Sequence, residues 1–68
     1  MNADNFNMSI RKFLKMVGVR SQHEIENAVA RAMETGRLKG NETLPAKMTL
    51  TLGSVDVSVT FEGDIHLE

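Results

Sequence analysis

Hydrophobic and polar residues alternate with a period of two over residues 48–61, which read M-T-L-T-L-G-S-V-D-V-S-V-T-F. This alternation is typical of strands with one buried face, and it runs on both sides of Gly53-Ser54. Glycine suits the first central position of a type II′ turn because it adopts positive φ without a Cβ clash. The pattern predicts a hairpin with a two-residue turn. Its register pairs Leu52 with Val55, Leu50 with Val57, and Met48 with Val59.

The C-terminal tail, E-G-D-I-H-L-E, extends the same alternation. A loop of residues 62–64 would place Ile65 opposite Phe61 and Leu67 opposite Val59 in a third antiparallel strand. The sequence therefore leaves open a sheet of two strands or of three.

The N-terminal part changes to helical spacing. Asp4 or Asn5 can cap a first helix, and Gly18 stands where a left-handed residue would end it, with Val19 folding back as the hydrophobic closure. The apolar stripe of this helix consists of Phe6, Ile10, Phe13, Leu14 and Val17. A first helix ending near Val17 is predicted.

A second helix is predicted from Ser21-Gln22-His23-Glu24, which matches the capping box, and it ends at Gly36. Its apolar stripe consists of Ile25, Ala28, Val29, Ala32 and Met33. Residues 36–47 contain Gly40-Asn41 and Pro45 and are interpreted as a crossover loop, anchored in the core by Leu38 and Leu44. The predicted fold is α+β, with two antiparallel helices packed on one face of a two- or three-stranded antiparallel β-meander, in the order α-α-β-β.

The length of 68 residues predicts a single small domain, residues 1–68, of which about 1–4 are frayed. Such a domain buries only about 60% of its unfolded surface, and without cysteine it has no disulfide to stabilise it, so self-association would help. No apolar run approaches the roughly 20 residues that span a bilayer, and no signal peptide is recognisable. A cytoplasmic protein without membrane contact is expected.

The two predicted helices and their short turn allow a helix-turn-helix, which would bind nucleic acid through the start of the second helix and a basic helical face. The candidate residues are Arg11, Lys12, Lys15, Arg20, Gln22, Asn27 and Arg31. Glu24 and Glu26 in the same first turn oppose this function, as does the purely acidic C-terminal third.

No spacing of catalytic or metal-binding residues is recognisable, so neither an enzyme nor a cofactor is expected. His23 and His66 are interpreted as solvent-facing residues without a partner for metal binding. The favoured function is a small protein-interaction or structural module that binds an unknown protein partner or itself through a sheet edge. Nucleic-acid binding is the alternative.

Three stretches carry a resemblance to a known family: F-N-M-S-I-R-K-F-L-K at residues 6–15, S-Q-H-E-I-E at 21–26, and L-K-G-N-E-T-L-P-A-K-M-T-L at 38–50. They resemble a family of small, mostly proteobacterial proteins known only as a domain of unknown function. The resemblance covers nearly the whole chain. It implies a stand-alone bacterial protein, and it implies no activity, cofactor or site residue.

Overall fold

The computed structural model describes all residues from Met1 to Glu68 and contains three elements. Helix α1 spans Ala3–Glu34, strand β1 spans Thr43–Leu52 and strand β2 spans Val57–His66. The chain divides into two compact units, Met1–Arg37 and Leu38–Glu68, which are described separately. The predicted order α-α-β-β, with two helices packed on a sheet, is therefore wrong: one long helix precedes a two-stranded hairpin.

Helix α1 continues through the turn predicted at residues 18–21. Gly18 does not have positive φ, and Ser21 lies inside the helix instead of capping a second one. A glycine inside a helix costs about 1 kcal/mol relative to alanine. A break would instead create two new helix ends, each with about four backbone groups that lack a helical partner. The uninterrupted helix therefore costs less free energy than a helix broken at Gly18.

The two ends of α1 are formed by specific caps. The Asn5 amide donates to the Asn2 side chain at 3.0 Å, so Asn2 is the N-cap in place of the predicted Asp4 or Asn5. At the other end the predicted role of Gly36 is confirmed. Gly36 has φ of 78°, and the Arg37 amide donates to the Ala32 carbonyl at 2.9 Å, which is the bond of a Schellman motif.

The hairpin exists, but its register differs from the predicted one by two residues. Leu52 pairs with Val57 and Met48 pairs with Phe61, so the loop comprises residues 53–56. The positive φ belongs to Ser54, at 69°, and not to Gly53. A shift of two residues leaves every side chain on the same face, so the alternation could not distinguish the two registers.

The sequence left open a sheet of two strands or of three, and the structure has two, so the alternative with a third strand is wrong. Strand β2 runs through Gly63 without a turn, and Ile65 pairs with Leu44. The partner of the tail is the segment that begins β1 at Thr43, inside the predicted crossover loop. Pro45 does not prevent strand formation there. The sheet therefore has two long strands instead of three short ones.

Candidate interaction surfaces

Each face of the hairpin has one kind of side chain. Five of the facing pairs form what we call the apolar face: Leu44 with Ile65, Ala46 with Gly63, Met48 with Phe61, Leu50 with Val59, and Leu52 with Val57. Within the unit Leu38–Glu68 no second layer covers this face, because the unit contains only these two strands. Phe61 is 57% exposed and Leu52 is 56% exposed. The apolar face is an incomplete half of a core.

The opposite face is polar. Its pairs are Thr43 with His66, Pro45 with Asp64, Lys47 with Glu62, Thr49 with Thr60, and Thr51 with Ser58. Two of these pairs form hydrogen bonds across the strands, Thr49 Oγ1 to Thr60 Oγ1 at 3.3 Å and Thr43 Oγ1 to His66 Nδ1 at 3.0 Å. His66 is thus on the exposed polar face, as predicted, where Thr43 lies opposite it.

The two edges of the hairpin differ. The Leu67 amide donates to the Glu42 carbonyl, so these two residues form a hydrogen-bonded pair next to Thr43 and His66. Hydrogen-bonded and non-hydrogen-bonded pairs alternate along an antiparallel ladder. The apolar pairs therefore direct their N–H and C=O groups toward each other, and the polar pairs direct theirs toward the outer edges. The outer edge of β1 therefore includes Pro45, which has no N–H, and the charged Lys47. Both are residues that commonly block pairing at an edge. The outer edge of β2 has an outward N–H at every polar position from Ser58 to His66.

The helix also has an apolar stripe that nothing in its own unit covers. An 11-residue spacing keeps the stripe on one side, because 11 residues make very nearly three turns. Its members, which we call the helix stripe, are Phe6, Ile10, Phe13, Leu14, Val17, Ser21, Ile25, Ala28 and Ala32. Glu24, 11 residues after Phe13, lies on the same side and interrupts the stripe in its C-terminal half. Phe6 is 50% exposed and Leu14 is 55% exposed, whereas Ala32, beside the C-cap, is buried.

The residues predicted to bind nucleic acid are not brought together. At about 100° per residue, one group lies on a side of α1 about 140° from the other. The first group is Arg11, Lys12, Lys15 and Gln22, and the second is Arg20, Asn27 and Arg31. From Arg11 to Arg31 the helix rises about 30 Å. The predicted recognition helix does not exist, and the helix-turn-helix interpretation is wrong.

The charges of the helix are uneven along its length. Residues 3–18 have a net charge of +2, from Asp4, Arg11, Lys12 and Lys15. Residues 19–34 have a net charge of −1, from Arg20, Glu24, Glu26, Arg31 and Glu34. Within the helix the only close pair of a basic and an acidic side chain is His23 Nδ1 with Glu26 Oε1 at 3.6 Å, and both side chains are exposed. The arginines and lysines of α1 therefore have no carboxylate partner within the helix.

One carboxylate that the sequence did not single out organises the turn before β1. Glu42 accepts backbone hydrogen bonds from Lys39 at 2.9 Å, Gly40 at 3.0 Å and Asn41 at 3.2 Å. These bonds, that from Lys39 foremost, lower the pKa of the Glu42 carboxyl below its ordinary value. The signal available in the sequence was Gly40, which has φ of 104° and allows the amides to converge.

The remaining candidate chemistry is sparse. No three histidine, aspartate or glutamate side chains lie close enough to hold a metal ion. No helix is long and apolar enough to cross a bilayer. An open hollow of about 260 Å³ lies beside the C-terminal end of the helix stripe, lined by Ala28, Arg31, Ala32, Thr35 and Arg37.

Comparison with known proteins agrees with the resemblance found in the sequence. The whole chain, residues 1–68, matches a family described as a family of unknown function (DUF6494). No curated protein and no solved structure matches the chain. The resemblance to a domain of unknown function is thereby confirmed, while the proteobacterial source stays a prediction. The chain belongs to the family of unknown function DUF6494.

Proposed function

We propose that this chain is a non-enzymatic interaction module that assembles with a second copy of itself through the outer edge of β2. The observation that carries the proposal is the apolar face, in which every facing pair is apolar or glycine while the unit has no layer to cover it. An isolated two-stranded hairpin is marginally stable in water, whereas three or more strands with a hydrophobic face gain independent stability. A second copy would extend the sheet to four strands.

The choice of β2 follows from the two edges. Both edges carry charge, Lys47 on β1 and Glu62 and Asp64 on β2. Pairing through β1 would in addition meet the missing N–H of Pro45, whereas β2 offers an unbroken row of outward donors and acceptors. A second copy related by a twofold axis would pair β2 with β2 in antiparallel fashion. Each apolar face would then continue into that of the other copy.

Charge and the length of the paired segment together favour one register of this pairing. With Phe61 opposite the same residue of the second copy, residues 57–65 all pair, Thr60 faces Glu62, and Ser58 faces Asp64. A shift of two residues in one direction would place Glu62 directly opposite Glu62 of the second copy, and like charges directly opposite each other are destabilising. A shift in the other direction would centre the pairing on Thr60 and leave only residues 57–63 of β2 paired. The Phe61-centred register also keeps all the apolar side chains on one face.

The test uses the absence of cysteine from the chain. In the proposed register Phe61 forms a non-hydrogen-bonded pair with its copy, with Cα atoms about 4.5 Å apart, which is within the range of a disulfide. Phe61→Cys should cross-link under mild oxidation into a species of twice 7.6 kDa. The matched control is Met48→Cys, which lies opposite Phe61 on the same face but in β1, and it should not cross-link.

A second pair of variants tests the edge itself. Thr60→Pro removes one outward N–H from β2, and Thr49→Pro removes the facing one from β1, so neither removes a backbone hydrogen bond of the hairpin. Both variants lose the same Thr49–Thr60 side-chain hydrogen bond, so they are matched in that respect. Thr60→Pro should weaken self-association by about tenfold or more and abolish the cross-link of the Phe61→Cys variant, while Thr49→Pro should do neither. Sedimentation over a range of concentrations measures the effect. A monomer at every concentration, or cross-linking through Met48→Cys instead, would refute the proposal.

The cytoplasmic location expected from the sequence remains part of this proposal, and cell fractionation with an antibody would test it. Binding to labelled DNA and RNA at several salt concentrations is a further arm of the experiment. An affinity that falls steeply with salt, for a protein that stays monomeric, would contradict the interaction module and indicate a nucleic-acid-binding protein.

A further inference from the structure

The N-terminal half of α1, residues 3–18, separates apolar from basic side chains around its axis. At about 100° per residue, the bulky members of the helix stripe in this half fall within an arc of about 100°. They are Phe6, Ile10, Phe13, Leu14 and Val17. Three bases, Arg11, Lys12 and Lys15, lie about 120–160° from the centre of this arc, on both flanks of the helix. This half is therefore an amphipathic helix with a mainly basic back.

Both the apolar side and the basic side of this half are accessible within its own unit. Phe13 is 46% exposed, and Phe6 and Leu14 are at least as exposed. The three bases are exposed too, and none has a carboxylate partner within the helix. A ligand of residues 3–18 would thus meet bulky apolar side chains and uncompensated positive charge together.

The C-terminal half of α1 does not continue these properties. Glu24 places a carboxylate on the stripe, and Ser21, Ala28 and Ala32 are small. The net charge also changes sign, from +2 over residues 3–18 to −1 over residues 19–34. A ligand selected by bulk and positive charge would therefore bind the first half of the helix and not its whole length.

The surface of a bilayer with anionic lipids matches this combination. A helix that lies in the interface buries its apolar side by about 5–10 Å, so the back of a helix about 10–12 Å in diameter remains near the headgroups. Anionic headgroups attract lysine and arginine there, because the Debye length is about 10 Å at 0.1 M salt. The long stems of these side chains also let their charges reach the phosphates. A groove on a protein would cover only the stripe and would not contact the bases on the back.

From these observations we infer that residues 3–18 of α1 bind to the surface of a bilayer that contains anionic lipids, with the bulky half of the helix stripe at the acyl boundary. The expectation of no membrane contact concerned segments that cross a bilayer, whereas an interfacial helix lies along its surface. The inference goes beyond the proposed self-association and does not depend on it.

Sedimentation of the full chain with lipid vesicles tests the contact. Vesicles of phosphatidylcholine and phosphatidylglycerol at about three to one should bind the chain about tenfold or more tightly than vesicles of phosphatidylcholine alone. Raising the salt to about 1 M should weaken binding to the anionic vesicles, because the Debye length falls to about 3 Å.

Two matched pairs of variants locate the contact. Phe13→Ala should weaken vesicle binding by about tenfold, because one buried aromatic side chain is lost, while the same change at Phe61 in the hairpin should have no effect. Lys15→Gln should weaken it by about fivefold, and Lys47→Gln in β1 should not. Lys15 is exposed, so its replacement tests the charge without disturbing the packing of the chain.

The orientation of the helix is measurable by fluorescence, because the chain contains no tryptophan. The emission of a Phe13→Trp variant should shift to the blue when anionic vesicles are added, since its indole enters the acyl boundary. Met8 lies on the opposite side of the helix from the stripe, so the emission of Met8→Trp should stay that of an exposed indole.

The outcomes separate this inference from the proposed function. No sedimentation with anionic vesicles, or equal binding to neutral ones, would overturn the inference and leave the stripe to a protein partner. Equal losses for Phe13→Ala and Phe61→Ala, or a larger blue shift for Met8→Trp than for Phe13→Trp, would also overturn it. A chain that binds vesicles but stays monomeric would refute the proposed self-association alone.

Discussion

The replacement of Gly18 by alanine distinguishes one long helix from two short ones by the sign of its effect. In α1 Gly18 lies inside a helix without positive φ, and a Cβ added there meets no atom within 4 Å. The substitution then changes only the helix propensity, and alanine stabilises a helix interior by about 0.8–1.0 kcal/mol relative to glycine. If Gly18 instead ended a first helix in the left-handed conformation, alanine would cost about 1–2 kcal/mol.

Thermal unfolding followed by circular dichroism measures this difference. For a chain of this size 1 kcal/mol corresponds to a shift of about 4–8 °C in the midpoint, so Gly18→Ala should raise the midpoint by several degrees. The comparison must be made at one protein concentration, because self-association also shifts the midpoint. Helical ellipticity at low temperature should not fall.

Gly36→Ala is the matched control for the same substitution. Gly36 also has open space for a Cβ, but its φ of 78° is the left-handed conformation that closes the Schellman motif. Alanine should therefore lower the midpoint at position 36 and raise it at position 18. A destabilised Gly18→Ala variant would refute the continuous helix and favour the helical break.

Three further substitutions test local interactions. Ser21→Ala should leave stability unchanged or raise it by a few tenths of a kcal/mol, because Ser21 lies inside α1; a loss near 1 kcal/mol would show that it caps a helix after all. Asn2→Ala should cost about 1 kcal/mol, since it removes the acceptor for the Asn5 amide, and a matched Asn7→Ala variant measured by urea unfolding should not. The folded-state pKa of Glu42 is lowered, so its contribution to stability is full above its unfolded pKa and disappears as the pH falls through the folded value. Glu42→Gln should remove that part of the acid dependence, and carboxyl titration by NMR should give Glu42 a pKa below the ordinary value of a glutamate; an ordinary value would contradict the turn geometry.

The sequence predicted the sheet better than the helices because the two patterns carry different information. Strict alternation over residues 48–61 identified both strands and the correct apolar face, since a one-residue error would expose half of it. It could not identify the register, which repeats every two residues. The start of β1 was missed because Pro45 is typical of a loop. At position 45 the backbone N faces the outer edge of the hairpin, so the N–H that proline lacks would not have bonded to β2.

The helices were misjudged because local end signals were given more weight than long-range periodicity. Gly18 resembles the C-terminal end of a helix and the apparent capping box at Ser21 resembles the start of another, so together they indicated a break. The same error produced the helix-turn-helix hypothesis and its candidate residues. The signal that favoured continuity was the 11-residue spacing, which carries Phe6 to Val17 to Ala28 on one side of the axis without adjustment at Gly18.

This continuity also bears on why a chain with so little buried surface forms regular elements. Each unit has one apolar surface and one layer, so neither completes a core by itself. A helix broken at Gly18 would have had two shorter stripes that could cover each other only partly. An 11-residue period remains close enough to the natural helical repeat that the apolar side keeps its direction along the length of the helix. The length of α1 therefore gives its apolar side one long surface instead of two short ones.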